Sequence, residues 1–300
     1  MKIPKQVSIF LNELVGRSKK TIKNYESFAQ VFWSYIDKEV KDITVKDIMK
    51  FLKWGVDKQK WKLSTMRQYA VLAQRFMSEF KDDAFMKDLK KEIRGLPRTR
   101  KYASLYEGVY VPGDRIDEFI EKAPNEELNI TYTMILKWGL RLDEALNMNY
   151  ADINAKLARI TVRGKGSGFE KKIRNVWVDR ESLGKVLGYG GCNGNEISGS
   201  TPLRRKGKIV NIAARTVEVN WKKTARKLKL PHWKKLTPHD GRHSYAIDFL
   251  LKRKKEGMAA LTLLKNQLGH SDINTTMIYV DISGTEARDI FDAGVKNESS

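Results

Sequence analysis

Two arginines, two histidines, a lysine and a late tyrosine stand out as side chains able to act on a phosphodiester. Arg141 lies in WGLRLDEAL (138–146) and Lys165 in VRGKGSG (162–168). His239 and Arg242 lie in TPHDGRHS (237–244), and His270 and Tyr279 in LGHSDINTTMIY (268–279). Breaking a DNA phosphodiester by transesterification needs an in-line nucleophile and neutralisation of charge on the non-bridging oxygens. It also needs an acid for the leaving 5′-oxygen and a means of handling the nucleophile's proton. Arginine suits the neutralising task, because its planar fork grips phosphate oxygens through two bonds and keeps its charge. Arg141 and Arg242 are the candidates. Tyr279 is the candidate nucleophile. A phenol has a pKa of about 10, so it needs neighbouring positive charge to act as phenolate at neutral pH, and the two arginines would supply it. A phosphotyrosyl bond keeps the energy of the phosphodiester for resealing, so the exchange would need neither ATP nor metal.

Each residue also has a plainer reading. Arg141 fits a surface arginine just past a helix end, Tyr279 in MIYVDI fits a core tyrosine, and Lys165 fits a solvated turn residue. His239 and His243 at helical spacing, with His232 or His270, could face a zinc ion. The adjacent Arg242 disfavours a cation there, and HDGRH lacks the glutamate of a metalloprotease motif. GKGSG lacks the spacing of a phosphate-binding loop and follows a hairpin strand instead of opening a helix. No cofactor is expected.

In order and spacing the set resembles the catalytic domain of tyrosine recombinases, the phage integrase and Xer family. The resemblance implies that Arg141 and Arg242 clamp the scissile phosphate and that Tyr279 attacks it. A 3′-phosphotyrosyl bond forms, and a 5′-hydroxyl leaves. His239 would assist proton transfer near the tyrosine, and His270 would hydrogen-bond the phosphate. A hairpin lysine would protonate the leaving oxygen; Lys165 matches that placement, with Lys171 and Lys172 just across the turn as rivals. Glu144 would orient its neighbours, and a helical i,i+3 relation lets it brace Arg141. His243 matches a position more structural than catalytic. Gly241 departs from the leucine common in the family, which weakens helix propensity but removes no functional group. Tyr245, the nearest other tyrosine, comes too early in the order of motifs. A type IB topoisomerase would share the mechanism without exchanging partners, but its motif before the histidine is usually lysine-rich. A DNA-binding protein on a recombinase scaffold is the non-enzymatic alternative, against which the presence of all six residues argues. A tetramer assembled on DNA is implied by the resemblance alone. The tail GTEARDIFDAGVKNESS (284–300) would dock on a neighbouring subunit or pack on its own domain.

Positioning these residues falls to a mainly helical chain with a small antiparallel sheet. Ser18 can cap a helix in which Ile22, Tyr25, Phe28, Phe32 and Tyr35 recur at helical spacing. Thr44 can cap a second helix that buries Ile48, Phe51, Leu52 and Val56. Ser64 can cap a third that buries Tyr69, Leu72, Phe76 and Phe80. Trp33, Trp54 and Trp61 fit either that core, where they are expected, or a face turned to DNA. The stretch from Gly95 to Asp114 loses helical period. The expected organisation is therefore a helical DNA-binding domain over 1–94, a linker over 95–111 and a catalytic domain over 112–300 with a C-terminal tail. In the last of these, DRIDEFIEKA and ELNITYTMILKWGL read as helices. Ile160 and Val162, then Ile173, Val176 and Val178, mark a hairpin around GKGSG. GYGGCNGNEISGS (188–200) reads as a flexible loop, and helices resume after it. The resemblance implies the same two-part architecture, gripping duplex DNA between its parts.

Charge points to the partner. The 57 Lys and Arg against 36 Asp and Glu leave a net +21, spread over both halves of the chain. Solubility needs far less, and the excess costs self-repulsion unless a polyanion offsets it. Cys192 is the sole cysteine, which rules out an intrachain disulfide and a cysteine metal cluster. The apolar run in MKIPKQVSIFLNELVG is too short for a secretion signal and no stretch is fit to span a bilayer, so a cytoplasmic location is expected.

Overall fold

Aromatic residues at helical spacing decide the first half of the protein. The computed structural model describes residues 5–14, 19–97, 108–164, 173–188 and 207–282. The chain divides into two compact units, Met1–Lys101 and Tyr102–Ser300. The first holds α1 (Lys5–Glu13), α2 (Lys19–Tyr35), α3 (Val45–Asp57), α4 (Leu63–Met77) and α5 (Asp83–Gly95). Phe28, Phe32, Phe51 and Phe76 are fully buried among them. Phe51 meets Phe32 edge-on, with centroids 4.9 Å apart, a geometry aromatic quadrupoles favour. Trp33 is buried, and Trp54 and Trp61 pack against the same cluster. Thr44 caps α3 as expected. Its hydroxyl accepts from Asp47 N at 3.2 Å, and the Asp47 carboxylate accepts from Thr44 N at 2.9 Å, a reciprocal capping box.

Ser64 does not cap α4. Met66 N already donates to the Lys62 carbonyl at 3.0 Å, so the helix closes its first turn on Lys62 and takes Ser64 inside. Ser18 lies outside the described residues. Lys46, Lys50, Lys53, Lys87, Lys90, Lys91 and Arg94 stay exposed on α3 and α5.

In the second unit a short 3-10 turn leads into α6 (Ile116–Glu121), followed by α7 (Glu126–Leu136) and α8 (Leu142–Leu146). α7 starts where Asn125 Oδ1 accepts from Leu128 N at 2.9 Å. It is buried on almost every side from Ile130 to Leu136, as its continuous apolar run requires. The sheet comprises β1 (Ile153–Asn154), β2 (Arg159–Arg163) and β3 (Ile173–Trp177), antiparallel in the order β1-β2-β3. Ile160 pairs with Val176 and Val162 with Arg174, so these residues share the face turned to the core. Ile173 does not belong to that face. Its odd parity relative to Val176 and Val178 puts it on the other side, where it is 65% exposed.

α9 (Arg180–Gly188), α10 (Ala214–Lys227), α11 (Pro238–Lys252), α12 (Met258–Leu268) and α13 (Asn274–Ile282) complete the unit. α11 is buried without interruption from Asp240 to Ile247. Its start is well specified. Asp240 Oδ2 accepts from Thr237 N at 2.8 Å and from its hydroxyl at 2.6 Å, and Pro238 occupies the first turn. Gly241 has a steric cause: a Cβ there would lie 2.5 Å from two atoms of the Trp221 ring, which is itself fully buried. Among the described residues no helix is long and apolar enough to cross a membrane. The hairpin tip with Lys165, Lys171 and Lys172 lies outside the described residues. So do 98–107 of the expected linker, 189–200 of the expected loop, and the tail.

Candidate active site

Arg141 is the residue on which α8 starts. Its backbone is extended, and Glu144, in the first turn, reaches back to accept from Arg141 N at 2.9 Å. The other Glu144 oxygen accepts from Arg141 Nη1 at 2.9 Å. The Arg141 side chain remains 40% exposed while Glu144 is only 6% exposed, so the carboxylate is the anchor and the guanidinium the open end. Two further arginines reach this carboxylate. Arg174 of β3 donates from Nη1 and Nη2 to its two oxygens at 2.8 Å each, and Arg242 Nη1 stands 3.7 Å away. Burial alone would raise the Glu144 pKa. The Arg174 bonds and charge, with help from Arg141 and Arg242, outweigh it and bring it down to about 2. One fixed negative charge thus sits among three cations, leaving local positive charge suited to a phosphate.

Arg242, just past the first turn of α11, projects into the core. Nη1 donates to the Gly139 carbonyl at 2.7 Å and Nη2 to the Leu268 carbonyl, tying α11 to the chain just before Arg141 and to the end of α12. Burial, then the charge of Arg141, lowers its pKa to about 9, so it stays cationic at neutral pH.

The histidines and tyrosine gather around it. His243 Nδ1 lies 2.9 Å from the Tyr279 hydroxyl, and the Tyr279 side chain is buried. His239 crosses His243 edge-on at 4.7 Å between centroids. His270 stacks nearly parallel to Tyr279, 6.4 Å away, and its Nδ1 is held by the Thr276 hydroxyl at 3.0 Å. Desolvation, then the charge of His239 and Arg242, lowers His243 to about 3. Desolvation and the Arg242, Arg141 and Arg174 charges lower His270 to about 4. His239 is solvent-exposed by area, yet protein atoms crowd it enough that desolvation and Arg242 lower its pKa too. All three rings are therefore neutral at pH 7.

Arg141, Glu144, His239, Arg242, His243, His270 and Tyr279 thus belong to one cluster; Lys165 falls outside the described residues. Tyr245 is a core residue whose hydroxyl accepts from Gln267 Nε2 at 3.1 Å. Among the described residues no three His, Cys, Asp or Glu side chains are grouped to hold a metal. Arg174 is the member that sequence reasoning missed. A signal existed: it precedes Val176 and Val178 by even steps, which puts an arginine on the buried face of a strand, where a charge needs a partner.

The sequence pattern of the phage integrase family matches residues 111–286, and that of the phage integrase N-terminal SAM-like domain matches residues 6–87. The chain belongs to the phage integrase family, the tyrosine recombinases. It is 24% identical over 277 residues to tyrosine recombinase XerA of Pyrococcus horikoshii, covering 92% of this chain and 88% of that protein. It is 26% identical over 302 residues to tyrosine recombinase XerC of Thermodesulfovibrio yellowstonii, covering 95% and 94%. Its fold is similar to that of the XerH site-specific recombinase bound to its palindromic difH substrate (TM-score 0.67, 18% identity, 93% and 81% covered). A lambda integrase dimer bound to a core site is similarly close (TM-score 0.66, 15% identity, 95% and 97% covered). Family membership favours strand cleavage and rejoining over the topoisomerase-like and non-catalytic alternatives.

Proposed function

We propose that this tyrosine recombinase breaks and rejoins duplex DNA at specific sites through a 3′-phosphotyrosyl bond on Tyr279. The observation that carries the assignment is one cluster holding Tyr279, the imidazoles of His239, His243 and His270, and the Arg141–Glu144–Arg242 group. Arg141, the exposed cation, takes a non-bridging oxygen of the scissile phosphate, and Arg242 adds its charge from beneath. His270, held through Nδ1, presents Nε2 to the phosphate. His239 assists proton transfer. With its proton on Nε2, the neutral His243 ring accepts the Tyr279 hydroxyl at Nδ1 and holds the nucleophile protonated. Tyr279 is 1% exposed, so in-line attack requires α13 to shift and carry the hydroxyl from His243 to the phosphate. A lysine of the hairpin turn (Lys165, with Lys171 and Lys172 as rivals) protonates the leaving 5′-oxygen on the strength of the resemblance.

The same reading takes residues 1–94 as a DNA-binding domain joined by a linker over 95–111 to the catalytic domain over 112–300. Its partner is double-stranded DNA, its working assembly a tetramer on that DNA, and its compartment the cytoplasm. Peptide mapping of a trapped protein–DNA adduct tests the assignment. The labelled nucleotide should remain on the peptide containing Tyr279, and a label on any other residue refutes the assignment.

A further inference from the structure

Arg174 has no role in the chemistry set out above, yet it joins three of the segments that carry it. From β3 its Nη1 and Nη2 hold both oxygens of Glu144 at 2.8 Å, a two-point fork that fixes the carboxylate in distance and plane. Its Nε donates to the Gln267 carbonyl at 3.0 Å, at the end of α12 and just before the turn that carries His270. The side chain is only 12% exposed. Gly269, in the left-handed conformation (φ +67), leaves room for it: a Cβ there would lie 2.7 Å from Arg174 Cδ. Gln267 secures the same junction by accepting from Trp177 N at 2.9 Å and donating to Trp177 O at 2.6 Å.

We propose that Arg174 is a positioning residue for DNA cleavage. It fixes the Glu144 carboxylate, through it the Arg141 guanidinium, and at the same time sets the hairpin strand against the His270 turn. The inference rests on the recombinase reading and names how that site is held together. A lysine in its place would keep one charge but lose the fork. Removing it leaves the buried Glu144 with Arg141 and Arg242 as the cations facing it among the described residues, so the carboxyl would take up a proton at higher pH than in wild type. His270 also feels the Arg174 charge, so two groups would titrate differently in a variant, and the test must separate them.

The measurement is the rate of covalent adduct formation on a pool of nicked, radiolabelled genomic fragments, at saturating protein and from pH 5 to 8. It compares wild type, Arg174→Gln, Arg174→Lys, Glu144→Gln and the double variant Arg174→Gln/Glu144→Gln. Loss of an outer partner typically costs about 10- to 100-fold. Arg174→Gln should lose that much in rate, with DNA affinity within about threefold of wild type, and its rate should fall further on the acid side. Arg174→Lys should recover part of the rate. In the Glu144→Gln background the Arg174 change should cost little more, and the acid fall due to Glu144 should be gone. The proposal is overturned if Arg174→Gln cleaves like wild type, or if the two substitutions multiply independently. It is equally overturned if Arg174→Lys folds with an unchanged melting temperature but recovers nothing over Arg174→Gln. Failure of wild type itself to form an adduct, or an adduct that survives Tyr279→Phe, would instead sink the underlying recombinase reading.

Discussion

Glu144 is the residue on which the candidate site turns, because one buried carboxylate organises three guanidinium groups and leaves Arg141 open to an anion. The pairing of Arg141 with Glu144 was legible from their i,i+3 spacing, and Arg242, His270 and Tyr279, which the motifs single out, lie close together in the fold. Arg174 escaped because its partner comes from a distant helix start, and strand alternation alone does not say which charge a buried arginine meets. His243 was expected in a structural role, and sequence alone did not bring its Nδ1 to the Tyr279 hydroxyl. That placement has a consequence for pH. His243 and His270 have folded pKa values of about 3 and about 4, below the ordinary value of about 6.5. As pH falls, the unfolded chain therefore binds protons first. The stability contributed by these neutral rings is complete above about pH 6.5 and is lost progressively toward their folded values. The melting temperature of wild type should drop between pH 7 and 5, above the range of ordinary carboxylates. His243→Asn, which keeps an acceptor near the place of Nδ1 but has no proton to bind, should show a flatter slope. Equal slopes would mean that His243 does not contribute to the pH dependence.

At the level of elements, α11 is the piece whose placement matters most, since it carries His239, Arg242 and His243 on a helix buried along most of its length. Its capping residues and proline could be read directly from TPHD, which is local information. Its closeness to α10 could not, and that is why Gly241 looked like a mere loss of helix propensity. Alanine is favoured over glycine within a helix by about 1 kcal/mol, whereas forcing a methyl group into a packed core costs about 1–3 kcal/mol. With Trp221 at 2.5 Å from the added carbon, the clash should win. Gly241→Ala should therefore lower the free energy of unfolding in denaturant, and its cost should shrink when Trp221→Phe is present. Strictly additive costs would show that the ring is not the obstacle. The sheet teaches a similar lesson: Ile160, Val162, Ile173, Val176 and Val178 mark the hairpin, but parity and not apolarity decides the face, and Ile173, out of step with Val176, points outward. Ser64 missed the start of α4 by the one or two residues over which helix ends are ordinarily ambiguous.

For the whole molecule, the helical character, the small antiparallel sheet and the family were all legible, because the motifs are short, dense and spread over the second half of the chain. The net charge of +21 is a property of no single element and speaks to the partner. A duplex-binding protein that neutralises roughly six to ten phosphates loses about 10³- to 10⁵-fold in affinity between about 50 and 200 mM salt. Titration of labelled duplex should show a fall of that order; a change of less than about tenfold would mean that the positive charge serves something other than DNA backbone. The central claim is covalent, however, and one experiment addresses it directly. Wild type and Tyr279→Phe would be incubated in EDTA with nicked suicide duplexes drawn from a fragment pool, and protein–DNA adducts resolved before and after protease. Wild type should form a protease-sensitive adduct with a free 5′-hydroxyl on the released strand, while Tyr279→Phe binds the same DNA and forms none. An adduct of equal yield in both proteins would contradict the assignment of Tyr279 as the nucleophile.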